Sequence, residues 1–172
     1  MRLSQLQPLP EYFDRYILKC DDIEMLEAIE KSIREISKAP LEKWNKVGDF
    51  VYAPGKWTIR DILQHLIDTE RIFTYRALAF ARNERGQVLS YTEDEYAKEA
   101  NAGMRTLEDL LAELKAVHQS FKAMFASFST EMLLRTGMGF KGPYSVGSIG
   151  FMMPGHQRWH FEMIERRYCK GK

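Results

Sequence analysis

Apolar residues recur at three- and four-residue intervals along most of this chain, and the recurrence divides it into four long amphipathic segments. In DDIEMLEAIEKSIREIS the stripe is Leu26, Ile29, Ile33 and Ile36; Asp21 or Asp22 supplies a start signal and Pro40 follows just past the end. In WTIRDILQHLIDTERIFTYRALAFAR it runs through Ile59, Ile62, Leu63, Leu66, Phe73, Ala77 and Phe80, with Thr58 placed to cap the helix and Gly86 to stop it. TLEDLLAELKAVHQSFKAMFASF starts at the capping residue Thr106, with acidic side chains in the first turn where the helix dipole favours them. The fourth segment runs from about Ser145 to Tyr168. Pro154 inside it removes a backbone donor and is expected to kink the helix. No stretch sustains the period-two alternation of a long strand. Four helices with one apolar face each bury those faces against one another, so the pattern predicts an all-α four-helix bundle. Its expected core includes Leu26, Ile29, Ile33, Leu66, Phe73, Leu110, Leu114 and Ile164. The stretch from about Gln87 to Arg105, with TEDEYAKEA inside it, reads as a long crossover connection with room for a short helix.

Composition narrows the function classes. A chain of 172 residues is expected to form one domain over 1–172, with the bundle at about 18–168. The net charge of +1 gives no electrostatic case for nucleic acid or an anionic membrane as partner. No apolar run is long enough to span a bilayer, and MRLSQLQPLPEYF lacks a signal-peptide core, so a cytoplasmic location is expected. Cys20 and Cys169 have neither metal-ligand spacing nor a disulfide framework. Cys169, close to the C-terminal end, reads as an exposed thiol.

Three signals bear on chemistry. GMGFKG, Gly137 to Gly142, matches the letters of a dinucleotide fingerprint, and Glu162 falls where an acidic partner would. The fingerprint requires a strand before the glycines and a helix directly after them; here a helical segment precedes and Pro143 follows, so this stretch reads as a flexible connection. His156 and His160 give H-x-x-x-H, but a zinc protease needs H-E-x-x-H, and position 157 is Gln157, an amide that cannot act as general base. The third signal is the pair itself together with His65. Residues four apart lie one above the other on a helix. His65 sits at the border of its helix's stripe, roughly 100° from the centre. It reads either as a core-edge imidazole satisfied by a neighbour or as a third ligand that antiparallel packing could bring against the pair. Three imidazoles with an open position would describe a catalytic metal site. His118 reads as a surface or core-edge residue. Tyr52, Trp57, Tyr75 and Trp159 are candidates for pocket walls, and Asp68 or Glu70 for the acceptor that a ligating histidine wants behind it.

GKWTIRDILQHLIDTERIFTYRALAFAR, followed late in the chain by GHQRWHFEMIERRY, resembles the DinB-like (YfiT-like) superfamily over about Leu18 to Tyr168. The resemblance implies a four-helix bundle with a three-histidine site for nickel, zinc or a similar divalent ion, and a homodimer. Carried over by position, the metal ligands are His65, His156 and His160. Relatives include thiol-dependent S-transferases that use bacillithiol, mycothiol or glutathione, which implies a metal-dependent transferase acting with a low-molecular-weight thiol on a small-molecule substrate. A non-catalytic metal- or ligand-binding protein and a metal-dependent hydrolase are the alternatives. Many members carry histidine just before the last ligand, where this chain has Trp159.

Overall fold

The computed structural model describes residues 1–84, 86, 88–139 and 142–170. After a short turn α1 (Asp14–Ile17) come α2 (Met25–Ser37), α3 (Leu41–Val47), α4 (Ile59–Ala81), α5 (Glu93–Glu99), α6 (Leu107–Ala126) and α7 (Thr130–Leu134). Strands β1 (Thr136–Gly139) and β2 (Gly142–Ser145) then form an antiparallel pair, and α8 (Val146–Arg167) closes the fold.

Local chemistry sets three of the four long-helix starts. The Thr58 hydroxyl accepts from the Asp61 N–H while the Asp61 carboxylate accepts from the Thr58 N–H, a reciprocal capping box. Thr106 and Ser145 each accept from the backbone N–H three residues on. The other boundaries correct the sequence reading. Asp21 and Asp22 do not start α2, which begins at Met25; they are engaged by Lys31 and by the Ser4 N–H. Pro40 does lie just past the end of α2, as expected, and directly precedes α3. Gly86 does not stop α4, which ends at Ala81 and is followed by Asn83 in the left-handed region (φ 59°). The stretch read as a flexible connection at Gly137–Gly142 is instead largely strand: Thr136 pairs with Ser145 and Gly139 with Gly142, while positions 140 and 141 lie outside the described residues. A side chain at Gly137 would collide with the Phe80 ring, which explains the glycine there. α8 is continuous through Pro154.

The helices are arranged up-down-down-up. α2 packs against α6 and α8, and α4 packs against the same two, so α2 and α4 are diagonal. Trp57, just before α4, meets Tyr168 just after α8, and Phe80 near the end of α4 meets Tyr144 before α8; α4 and α8 are therefore antiparallel. Gln64 bonds Arg105 and Arg71 pairs with Glu113, so α4 and α6 run parallel. Parallel neighbours require the chain to return the length of the bundle, and the connection carrying α5 does so, as the sequence implies.

Two apolar cores are stacked along the bundle. One gathers Ile29, Phe73, Phe121 and Phe151; the other gathers Leu63, Leu66, Leu110, Leu114 and Ile164. Of the expected core residues only Leu26 is less than fully buried, packing against the margin of the first core. Between the two lies a buried polar layer with one residue from each long helix: Ser32, Glu70, His118 and Gln157. Ser32 donates to the Gln157 side-chain carbonyl at 2.5 Å and lies 3.0 Å from His118 Nε2. His118 Nδ1 contacts a Glu70 carboxylate oxygen. His118 is thus not a surface or core-edge residue; it is 1% exposed, lying against the Glu70 carboxylate and hydrogen-bonded to Ser32 inside the bundle. Cys169 is likewise buried at 6% exposure, not exposed as the sequence suggests, since it packs in the second core beside Glu165. Among the described residues no helix is long and apolar enough to cross a membrane.

Candidate metal centre

Antiparallel packing of α4 on α8 sets His65 opposite His156, and His160 lies one turn further along α8 on the same face. Nε2 of His156 is 3.3 Å from Nε2 of His65 and 3.0 Å from Nε2 of His160. One nitrogen from each ring falls within 4.8 Å of the others. A cation about 2.0–2.1 Å from three nitrogens in a tetrahedral array holds them about 3.3–3.4 Å apart, close to the two separations from His156. Among the described residues no cysteine, aspartate or glutamate joins the cluster.

Burial shapes the electrostatics. It pushes His65 down to about 3, with the His160 ring contributing, and His160 down to about 4. His156 is held well below the usual imidazole range by burial first and then by His160, His65 and His118. All three rings are therefore neutral near pH 7, the form that ligates metal. Protons are disfavoured in this cluster because three rings converge where water is scarce.

The surroundings orient the rings. Thr69, one turn beyond His65, lies 3.3 Å from His65 Nδ1, and its hydroxyl is 2.6 Å from the Tyr91 hydroxyl. This leaves His65 Nε2 aimed at the cluster. Neither Asp68 nor Glu70 supports His65: Asp68 accepts from Gln64 and Glu70 faces His118. The reason is angular, since residues three and five beyond His65 project to either side of it and residue 69 projects along it. Trp57 tilts over His65 at 4.9 Å between ring centres, and Tyr16 meets His156 edge-on at 4.8 Å.

A cavity of about 430 Å³ opens beside His65 and His156. Its aromatic wall comes from Tyr12, Phe13, Tyr16, Phe73 and Tyr91. None of the four aromatics singled out from sequence lines it: Tyr52 packs on Tyr168, Trp57 lies over His65, Tyr75 is exposed, and Trp159 packs on Tyr16. The EYFDRY segment before α2 carried the missed signal, three aromatics in a polar stretch with no helical stripe of its own.

The DinB superfamily's sequence profile matches residues 26–164. The chain belongs to the DinB superfamily. A relative from Oceanobacillus iheyensis, described as a candidate metal-dependent hydrolase, is 28% identical over 161 residues, covering 92% of this chain and 90% of that protein. The structure is similar to that of YfiT from Bacillus subtilis, described as a probable metal-dependent hydrolase with an unusual four-helix bundle topology. That likeness has a TM-score of 0.67 at 18% identity and covers 91% of this chain and 87% of YfiT. For this DinB-superfamily chain the fold expectation holds, and the up-down-down-up order is the form it takes.

Proposed function

We propose that this protein holds one divalent metal ion, nickel or zinc, on His65, His156 and His160, and that it transfers a bacillithiol-like low-molecular-weight thiol to a small electrophilic substrate. The observation that carries the reading is the convergence of three neutral imidazoles, two of which, His65 and His156, line an aromatic cavity, with no fourth protein ligand among the described residues. An ion with only neutral ligands keeps its full charge and lowers the pKa of a thiol or water brought to it. Thr69 and Tyr91 hold the His65 ring in register. The aromatic wall excludes water and orients an apolar substrate.

The choice of thiol over water rests on the lining. Glu93 is the one carboxylate among the described residues that line the cavity, and it is exposed at the rim. A thiol near pKa ~8.5 needs far less help from a base than water does at about 15.7. Hydrolysis is the second reading, favoured by the descriptions of the two relatives. A homodimer belongs to the same proposal; exposed Tyr75, Leu78, Leu89 and Tyr96 on α4 and the segment after it support it, and light scattering measures it.

The test is spectroscopic and kinetic. Cobalt-substituted protein should change its visible spectrum on addition of bacillithiol, and conjugation of that thiol to a chlorodinitrobenzene should require metal. A metallated protein that shows no spectral response to thiol but cleaves esters would replace the transferase with the hydrolase.

A further inference from the structure

The cavity has a second chemical pole. His65, Thr69, Phe73 and Arg76 stand at spacings of four, four and three along α4, so they share one face, and all four line the same cavity. From His65 to Arg76 that face rises about 16 Å at 1.5 Å per residue. Arg76 is 4% exposed, a level at which arginine is nearly always paired. Here one end donates to the Leu89 carbonyl at 2.6 Å, the plane lies 4.6 Å over the Phe73 ring, and the neutral Tyr144 hydroxyl lies against the side chain. Nε is buried without a hydrogen-bond partner, and among the described residues no carboxylate lies within ion-pair reach. A carbonyl and a ring face orient a guanidinium but do not neutralise it, and an uncompensated buried charge is costly. The Leu89 contact fixes the group, so its remaining donors are already placed for a planar anion.

We propose that Arg76 is the anchor for a substrate carboxylate, so that the substrate is an extended monoanionic acid whose apolar body lies along Phe73 and the tyrosine wall towards the triad. One cation answers one negative charge, and Glu93 at the rim opposes a dianion. The inference deepens the proposed function and rests on it for the far end of the molecule, but its own evidence is Arg76.

The experiment uses full-length protein stripped of metal, so that a carboxylate cannot bind an ion instead. Binding of 4-phenylbutyrate and its neutral amide, 4-phenylbutyramide, is measured by calorimetry. The acid should bind about tenfold or more tightly than the amide, the factor expected of a charge-assisted pair. Arg76→Met should erase the preference and Arg76→Lys should keep part of it, with circular dichroism confirming the fold. His65→Ala should leave the preference intact. Equal binding of acid and amide by the wild-type protein, no binding of either at millimolar concentration, or a preference that survives Arg76→Met would overturn the proposal. Should Arg76→Met not fold, the wild-type comparison and Arg76→Lys still decide. An acid preference in a protein whose triad takes up no nickel or zinc would sink the metal reading and leave the anion anchor standing.

Discussion

The four histidines of this chain have been dealt two different environments, and single substitutions should separate them. Alanine at His65, His156 or His160 is expected to weaken nickel or zinc binding by more than about tenfold, read as metal content after dialysis. His118→Ala should retain metal but lose about 3–5 kcal/mol of stability, because Glu70 would be left as an unpaired buried carboxylate. Thr69→Val should cost about 10–100-fold in metal affinity with little change in fold, since it deletes the group behind His65. Acid should act on the metal-free triad in a defined window. The folded-state pKa values of these rings lie below the unfolded value of about 6.5, so the unfolded chain binds protons that the native one refuses. Stability should be level above pH 6.5 and fall as pH drops towards 4 and then 3, the values to which His160 and His65 are depressed. Unfolding at pH 5 should then take up nearly three protons, about one per ring, measurable from the slope of the urea midpoint against pH. At this scale the His156–His160 spacing and the border position of His65 were legible because they are local facts; that the three belong together was implied by the family resemblance. Arg76, Tyr91 and Tyr16 were not, because nothing local marks an arginine as unpaired or an aromatic as facing a cavity.

At the level of the element, helix starts that depend on a hydroxyl and an amide three residues apart were legible, and Thr58→Ala should cost about 1 kcal/mol in thermal or chemical unfolding. Boundaries set by distant partners were not. Asp21 looks like a helix start until Lys31 is seen to hold it, and the α4 terminus depends on Asn83 turning left. The short strands escaped because four residues with two glycines, or with a glycine and a proline, give no alternation to read. Gly155 is a further case. A β carbon there would lie 1.9 Å from the Tyr16 carbonyl oxygen, so the glycine lets the α1 turn settle directly on α8. That contact sets Tyr16 against His156 and Trp159. Gly155→Ala should destabilise by about 1–3 kcal/mol and loosen metal binding as well, whereas a change at Gly48, with open space around it, should leave the metal alone.

Across the whole molecule, the layer of Ser32, Glu70, His118 and Gln157 between the two cores has a mechanical consequence. Aliphatic stripes are interchangeable: a helix displaced by one turn, about 5.4 Å, meets other leucines and isoleucines and loses little. Four polar groups that answer one another at a single height do not permit that slip, because a displaced Glu70 would face hydrocarbon. The layer works as a detent, a notch that stops four smooth rods from sliding past each other, and a buried polar residue fixes coiled-coil register in the same way. The metal centre shares two of these four helices, with His156 directly before Gln157 on α8 and His65 five residues before Glu70 on α4, and it tolerates only a few tenths of an ångström, about ±0.2 Å at each nitrogen. Replacing all four by apolar residues of similar volume should therefore raise the unfolding free energy by about 1–4 kcal/mol while weakening nickel or zinc binding and broadening the amide spectrum. A variant that gained stability and kept both its affinity and its sharp spectrum would show that the rods need no notch.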